Sequence, residues 1–170
     1  MPFLETPSEN PTYGKHYIIK ESATIMDFLE EMHKDGGIGP LYSSDPFTKA
    51  EQRQVMTSFD GVHNNLFAVM LSRGSQASII GLQKAFDKLN LALANSSTPY
   101  FNNAEYPQMP DLFGFPHTSR IFYLKGSALD NLYNHLEVET KWPYLTRWFK
   151  KMRTLPYLND GQGIIPERAF

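Results

Sequence analysis

Residues 21–31 read Glu21-Ser22-Ala23-Thr24-Ile25-Met26-Asp27-Phe28-Leu29-Glu30-Glu31. The apolar members Ile25, Phe28 and Leu29, continued by Met32, step by three and four, which places them on one face of a helix. Ser22 stands where an N-cap is expected, because its hydroxyl can accept a free amide of the first turn. Upstream, Phe3-Leu4-Glu5 and Tyr17-Ile18-Ile19-Lys20 are short strand candidates separated by a Pro- and Asn-containing segment, a pattern that predicts a hairpin. Downstream, Asp35-Gly36-Gly37-Ile38-Gly39-Pro40 cannot continue a helix, since glycine costs ~1 kcal/mol and interior proline ~3 kcal/mol relative to alanine. A domain boundary is expected there.

Beyond the boundary the chain reads as nearly all helix. Asp45-Pro46 supplies a capping carboxylate and a proline at the first helical position. Val55, Phe59, Val62, Leu66 and Val69 then hold helical phase until Gly74. A second long helix carries Ile79, Leu82, Phe86, Leu89 and Leu93 and ends in the loop signal Asn95-Ser96-Ser97-Thr98-Pro99. A third helix is expected over Asp111 to Leu124, interrupted by Gly114 and Pro116, and a fourth over Ser127 to Leu136. The last periodic unit is Leu145, Trp148, Phe149 and Met152, with Lys150, Lys151 and Arg153 near its C-terminal end, where cations favour the helix dipole. The tail after Pro156 has no periodicity.

Bulk composition narrows the function classes. At 170 residues with 41% apolar and 14% aromatic content, the chain can bury a sizeable core. The 16 basic and 18 acidic residues nearly cancel. With no block of like charge to follow a phosphate backbone and no apolar run near the ~20 residues needed to cross a bilayer, neither nucleic acid nor membrane insertion is expected. The N-terminus lacks a secretory pattern, so a soluble protein of a reducing, cytoplasmic compartment is expected. The absence of cysteine removes disulfides, thiolate metal sites and a cysteine nucleophile.

The five histidines, His16, His33, His63, His117 and His135, are not paired at the spacing of a metal site, and no metal is expected. No G-x-S-x-G elbow, phosphate-binding glycine loop or H-E-x-x-H is found. Glu30 and Glu31 are adjacent on a helix and point apart, which reads as a solvated face. The aromatics Tyr100, Phe101, Tyr106, Phe113, Phe115, Phe122 and Tyr123 could line a pocket or form core. Glu21-Ser22, at a strand-to-helix junction, could bind a zwitterion. Free amides and the Ser22 hydroxyl would take a carboxylate, and Glu21 an ammonium. Capping alone is the other reading of Ser22.

Taken in order, Pro2-Phe3-Leu4-Glu5, the hairpin, Glu21 to Glu31, the Gly-rich hinge, Ser44-Asp45-Pro46-Phe47-Thr48-Lys49-Ala50 and an all-helical remainder resemble the glutathione transferase superfamily, closest to its omega-like branch. The resemblance implies a mostly α fold: the family's C-terminal helical bundle preceded by a ββα remnant of a thioredoxin-like domain. It divides the chain into a partial thioredoxin-like segment over 1–35, an all-helical domain over 40–158 and an irregular tail over 159–170. Pro110 to Pro116 resembles the family's buried capping-box segment, with Asp111 as its aspartate, and Asp45 as the cap that opens the helical domain. Lys141 to Pro156 resembles the terminal helix.

The same resemblance implies a glutathione site. Pro2 matches the family's cis-proline, Met1 the residue whose backbone pairs with the cysteinyl part, and Glu21 and Ser22 the pair that holds the γ-glutamyl end. The catalytic Cys, Ser or Tyr of the family has no match, because the strand and helix that carry it would precede residue 1. The segment Thr6 to His16 is longer than the family's hairpin and could crowd the groove. Gln108 stands where the family's capping box prefers Ser or Thr. The expectation is a glutathione transferase-like protein impaired in catalysis as written, with glutathione as its ligand. The alternative is a non-catalytic scaffold, as a homodimer or within a larger assembly. Phe47, Met56 and Phe113 are candidate positions for a second substrate.

Overall fold

The computed structural model of the chain describes residues 3–6, 16–33, 39–72, 74–127 and 129–159. They fall into two compact units, Met1–Leu41 and Tyr42–Phe170. Among the described residues no helix is long and apolar enough to cross a membrane.

In the first unit, strands β1 (Phe3–Glu5) and β2 (Ile18–Lys20) pair antiparallel, with Phe3 opposite Lys20, Leu4 opposite Ile19 and Glu5 opposite Ile18. Pairing continues past the strands. The Thr6 amide donates to the Tyr17 carbonyl and the Tyr17 amide to the Thr6 hydroxyl, both at 3.1 Å, while His16 Nδ1 donates to the Thr6 carbonyl at 2.8 Å. Residues 7–15, most of the lengthened hairpin connection, lie outside the described residues. Helix α1 (Ser22–His33) follows, and its apolar stripe is less covered than its periodicity predicts. No residue of α1 is fully buried, and Leu29 and Met32 are exposed. Two three-residue strands offer too little surface to cover a stripe that runs the length of a 12-residue helix. Glu30 departs from the solvated-face reading too: it accepts the Leu41 amide at 2.7 Å, fastening the chain after Gly39 and Pro40 to α1. Residues 34–38, within the glycine-rich hinge, lie outside the described residues.

The second unit is helical. Helix α2 (Pro46–Leu71) starts at Asp45, whose carboxylate accepts the Thr48 amide and hydroxyl, each at 2.7 Å. Those bonds favour the ionised form and hold the Asp45 carboxyl below its ordinary range. The helix closes where the Gly74 amide donates to the Val69 carbonyl at 2.8 Å, with Gly74 at φ 83, a left-handed conformation that glycine adopts without steric cost. Helix α3 (Gln76–Ala94) then runs back along α2: Gly61 faces Ala85, and Gly81 faces Asn65 so closely that a Cβ there would overlap the Asn65 side chain. Phe59 and Val62 of α2 and Leu82 and Phe86 of α3 are fully buried.

Helix α4 (Met109–Phe122) corrects the expected interruption, because it runs unbroken through Gly114 and Pro116. Ten of its 14 residues are buried, including Phe113, Phe115, Ile121 and Phe122. At about 1.5–3 kcal/mol for each large apolar side chain buried, this outweighs the local cost of one glycine and one proline. Gly114 is required by packing, since a Cβ would overlap the Phe59 ring. The aromatic run is therefore mostly core. Tyr100, Phe101, Phe113, Phe115 and Phe122 are buried, Phe101 within a short 3-10 turn (Phe101–Asn103), and Phe59 packs edge-on against Phe101 at 5.7 Å between ring centres.

Helix α5 (Asp130–Leu136) begins three residues after the expected Ser127. The Ser127 hydroxyl bonds the Leu124 carbonyl and the Leu129 amide, and the Asp130 carboxylate accepts the Gly126 amide, so these short polar side chains hold a turn instead. The expected terminal helix from Lys141 is divided: α6 (Val138–Lys141) stops at Trp142, at φ −124 and ψ 66, and α7 (Pro143–Met152) starts after it. Proline at 143 drives the preceding residue out of the helical region. The first amides of α7 are capped from α3, as Asn90 Oδ1 accepts from the Tyr144 and Leu145 amides at 3.0 and 3.1 Å. A single turn, α8 (Pro156–Asn159), follows where the sequence has no periodicity. Residues 160–170 of the tail lie outside the described residues.

Candidate functional site

The junction between β2 and α1 is built around an unusual backbone. Glu21 has φ 70, the left-handed region, which is uncommon for a residue with a Cβ and costs about 1–3 kcal/mol. Its carbonyl accepts the Ile25 amide at 2.9 Å, the first bond of the helix, so Glu21 occupies the cap position and Ser22 is the first helical residue. This corrects the assignment of Ser22 as the N-cap: the strand enters the helix through the strained Glu21. Among the described residues the Ser22 hydroxyl and the Glu21 carboxylate make no hydrogen bond or ion pair, and both side chains are exposed. The amides of Ser22, Ala23 and Thr24 have no acceptor within their own helix. The site therefore offers uncommitted donors and one carboxylate at the positive end of a helix dipole. Met1 and Pro2, the other two residues matched to a glutathione site, lie outside the described residues.

Asp111 is fully buried in the helical unit and serves as a hub. Its Oδ1 accepts the Trp148 indole at 2.7 Å and the Phe101 amide at 3.2 Å, and its Oδ2 accepts the Gln108 amide at 3.0 Å. Burial pushes its pKa up to about 6, against the opposing pull of these donors. Gln108 holds the start of α4 through its backbone, while its side-chain oxygen accepts from Gln52 Nε2 at 2.5 Å and so links α4 to α2. This is what the unusual residue at the capping-box position does. The Asp111 carboxylate is sealed from solvent, and the network is structural.

The candidate second-substrate positions do not form one surface. Phe47 is 80% exposed, whereas Met56 and Phe113 are buried, Met56 accepting the Tyr42 hydroxyl on its sulfur. The structure does bring together two histidines that sequence spacing keeps apart. His63 on α2 and His117 on α4 lie 5.6 Å apart between ring centres, and His117 stacks on Phe113. Burial lowers the His117 pKa, and its Nδ1 donates to the Phe113 carbonyl at 2.8 Å. Among the described residues no group of three or more His, Cys, Asp or Glu could hold a metal ion.

Comparison with known proteins gives these geometries a setting. The chain is 28% identical over 145 residues to glutathione transferase omega-1 of Caenorhabditis elegans, a match covering 79% of this chain and 54% of that protein. It thus spans about half the length of the curated relative it matches. No protein-family model matches the chain. Three solved structures share the fold. Leishmania TDR1, described as a unique trimeric glutathione transferase, aligns with a TM-score of 0.72 and 16% identity over 85% of this chain and 32% of its own. A glutathione S-transferase of Methylobacillus flagellatus with glutathione bound aligns at 0.64 and 19% identity, over 89% and 72%. FzlA from C. crescentus aligns at 0.61 and 16% identity, over 94% and 69%. At these identities the structures speak for the fold: the helical bundle of the glutathione transferases, preceded by a ββα segment of thioredoxin-like type. That fold, joined to the sequence similarity with an omega enzyme, supports membership of the glutathione transferase superfamily, of omega-like type.

Proposed function

We propose that the chain is a glutathione-binding protein of this superfamily whose 170 residues supply binding rather than turnover. The observation that carries the reading is the left-handed Glu21, which leads directly into Ser22 and the free amides of the first turn of α1. Backbone strain of this kind persists where the surrounding structure over-determines it, and it concentrates at ligand sites. The γ-glutamyl end of glutathione is a zwitterion. Its carboxylate would take the Ser22 hydroxyl and first-turn amides, and its ammonium the Glu21 carboxylate. The Methylobacillus flagellatus protein, which holds glutathione in a shared fold, supports this choice of ligand. In this reading residues 1–35 form the thioredoxin-like segment, in which Met1 and Pro2 would face the cysteinyl part, residues 40–158 form the helical domain, and 159–170 are a tail. The setting is the reducing cytoplasm, where glutathione is kept as the thiol.

Chemistry on that thiol needs either a lowered pKa or a mixed disulfide with a protein cysteine. These 170 residues contain no cysteine, so the second route cannot come from them. Calorimetric titration tests the binding half of the proposal, and a conjugation assay the other. Glutathione should bind saturably, with affinity reduced on the order of tenfold by Ser22→Ala, the worth of one charge-assisted hydrogen bond. Conjugation to a chromogenic electrophile should stay near the uncatalysed rate. Titrations that show no saturable heat would remove the binding claim, and ordinary turnover would remove the non-catalytic one.

A second reading, a scaffold that engages another protein or a second copy, is favoured by one feature. Phe3, Ile18 and Met32 of the first unit are 67%, 53% and 63% exposed. Exposed apolar side chains on short, open-edged strands and their neighbouring helix are surface that partners cover. Light scattering that finds a stable, non-aggregating monomer would count against it.

A further inference from the structure

A cavity of about 540 Å³ opens in the helical unit among the end of α4, α5, α6 and α7, and none of its lining belongs to the Glu21–Ser22 junction. One wall is aromatic: Phe122 and Phe149 stack with ring centres 4.0 Å apart and planes 7° from parallel. The same lining carries Thr146, only 6% exposed, whose hydroxyl has no hydrogen-bond partner among the described residues. A helical threonine ordinarily settles its hydroxyl on the carbonyl four residues back. Thr146 leaves that donor unspent, although a buried hydroxyl is costly to leave unpaired.

The charges around the cavity do not balance. Glu139 is its carboxylate, and it is already engaged: Oε1 accepts Lys125 Nζ at 2.6 Å and the Tyr133 hydroxyl at 3.0 Å. Lys150 Nζ lies further away, 3.6 Å from Oε2. Arg153 sits over the rings of Tyr123 and Phe149, 6.0 Å from each centre, with no carboxylate at ion-pair distance among the described residues. Three cations against one carboxylate leave a surplus of positive charge. The nearby C-terminal ends of α4 and α7 subtract about half a charge each at most. Their effect is smaller still because the Phe149 carbonyl is taken by the Arg153 amide and the Lys151 carbonyl by the Thr154 amide and hydroxyl.

We infer that this cavity binds a small aromatic phosphate monoester, its ring against Phe122 and Phe149 and its terminal oxygens on Lys150, Arg153 and the Thr146 hydroxyl. Three donors from three residues match three terminal oxygens, and a monoester carries a charge of about −1.5 to −2, which matches the surplus left by Lys125, Lys150 and Arg153 against Glu139 alone. A monocarboxylate would leave one cation uncompensated. Lys125 stays with Glu139 and frames the site without contacting the ligand.

Phenyl phosphate titrated calorimetrically into the 170-residue protein at low salt is the test, with benzoate, phenol and inorganic phosphate as comparators. Phenyl phosphate should bind one to one, at least tenfold more tightly than any comparator. Thr146→Val, which keeps the shape and removes the hydroxyl, and Arg153→Gln at the surface should each weaken it on the order of tenfold. Arg153→Gln alone suffices if the buried variant fails to fold. Absence of saturable binding, or binding that neither variant weakens, overturns the site. Benzoate or phenol binding as tightly overturns the phosphate assignment, and inorganic phosphate binding as tightly overturns the aromatic one.

Discussion

The indole N–H of Trp148 donates to the carboxylate of Asp111 at 2.7 Å, fully inside the helical unit and across 37 positions of sequence. The bond joins α7 to the start of α4, and the same carboxylate oxygen accepts the Phe101 amide. Asp111→Ala would leave three donors, from Trp148, Phe101 and Gln108, without an acceptor. At about 1–3 kcal/mol for each unsatisfied buried group, the loss should reach at least ~3 kcal/mol in denaturant unfolding. A loss below about 1 kcal/mol would mean that water or another acceptor replaces the carboxylate.

Asp111 also sets a pH dependence whose sign is fixed by burial. Its folded pKa, about 6, lies above the ordinary carboxyl value of 3.8. Between those two values the native state holds a proton that the unfolded state releases, so this group's stabilising contribution is full below the lower value and is lost as pH rises through the upper one. Thermal melts of the parent and of Asp111→Asn, followed from pH 4 to 7, isolate the effect, since His117 and the other titrating groups are common to both. The parent should lose stability relative to the variant across that window; a constant difference would contradict the assignment.

Gly114 and Phe59 form a contact in which the glycine is required for space. Gly114→Ala gains up to ~1 kcal/mol of helix propensity but drives a Cβ into the ring, an overpacking cost of about 1–3 kcal/mol. Net destabilisation is expected, and Phe59→Leu should recover part of it, so a double-mutant cycle should show a coupling above 0.5 kcal/mol. Strict additivity would show that the ring moves aside freely.

Asn90 caps α7 from the neighbouring helix. Asn90→Ala should cost about 0.5–2 kcal/mol, in the range of an ordinary N-cap. Hydrogen exchange should accelerate at the Tyr144 and Leu145 amides, which it binds, more than along α3.

What could be read from sequence follows the range of the forces involved. Helices α2 and α3 were legible because Val55 to Val69 and Ile79 to Leu93 repeat with helical period and because Asp45-Pro46 and Gly74 mark ends by local backbone chemistry. The continuity of α4 was not: Gly114 and Pro116 oppose a helix locally, and only the burial of Phe113, Phe115 and Ile121 reverses the balance. The late start of α5 depends on which backbone group the Ser127 hydroxyl chooses. At the candidate site, Glu21 and Ser22 were singled out by position and by resemblance, but the left-handed backbone of Glu21 leaves no trace in residue type, since glutamate gives no sign of positive φ. The pairing of His63 with His117 joins helices far apart in the chain, and Lys125 and Glu139 reach the cavity of Thr146 and Arg153 from other elements, so no spacing rule reports either grouping.

Glu21 and Ser22 are proposed to hold the γ-glutamyl end of glutathione at the start of α1. Backbone amide shifts followed by NMR during a glutathione titration test it most directly. Saturating shifts are expected at Ser22, Ala23 and Thr24, fading when Ser22 is changed to Ala. Shifts confined to the helical unit, or none at the first turn of α1 at saturating glutathione, would contradict it.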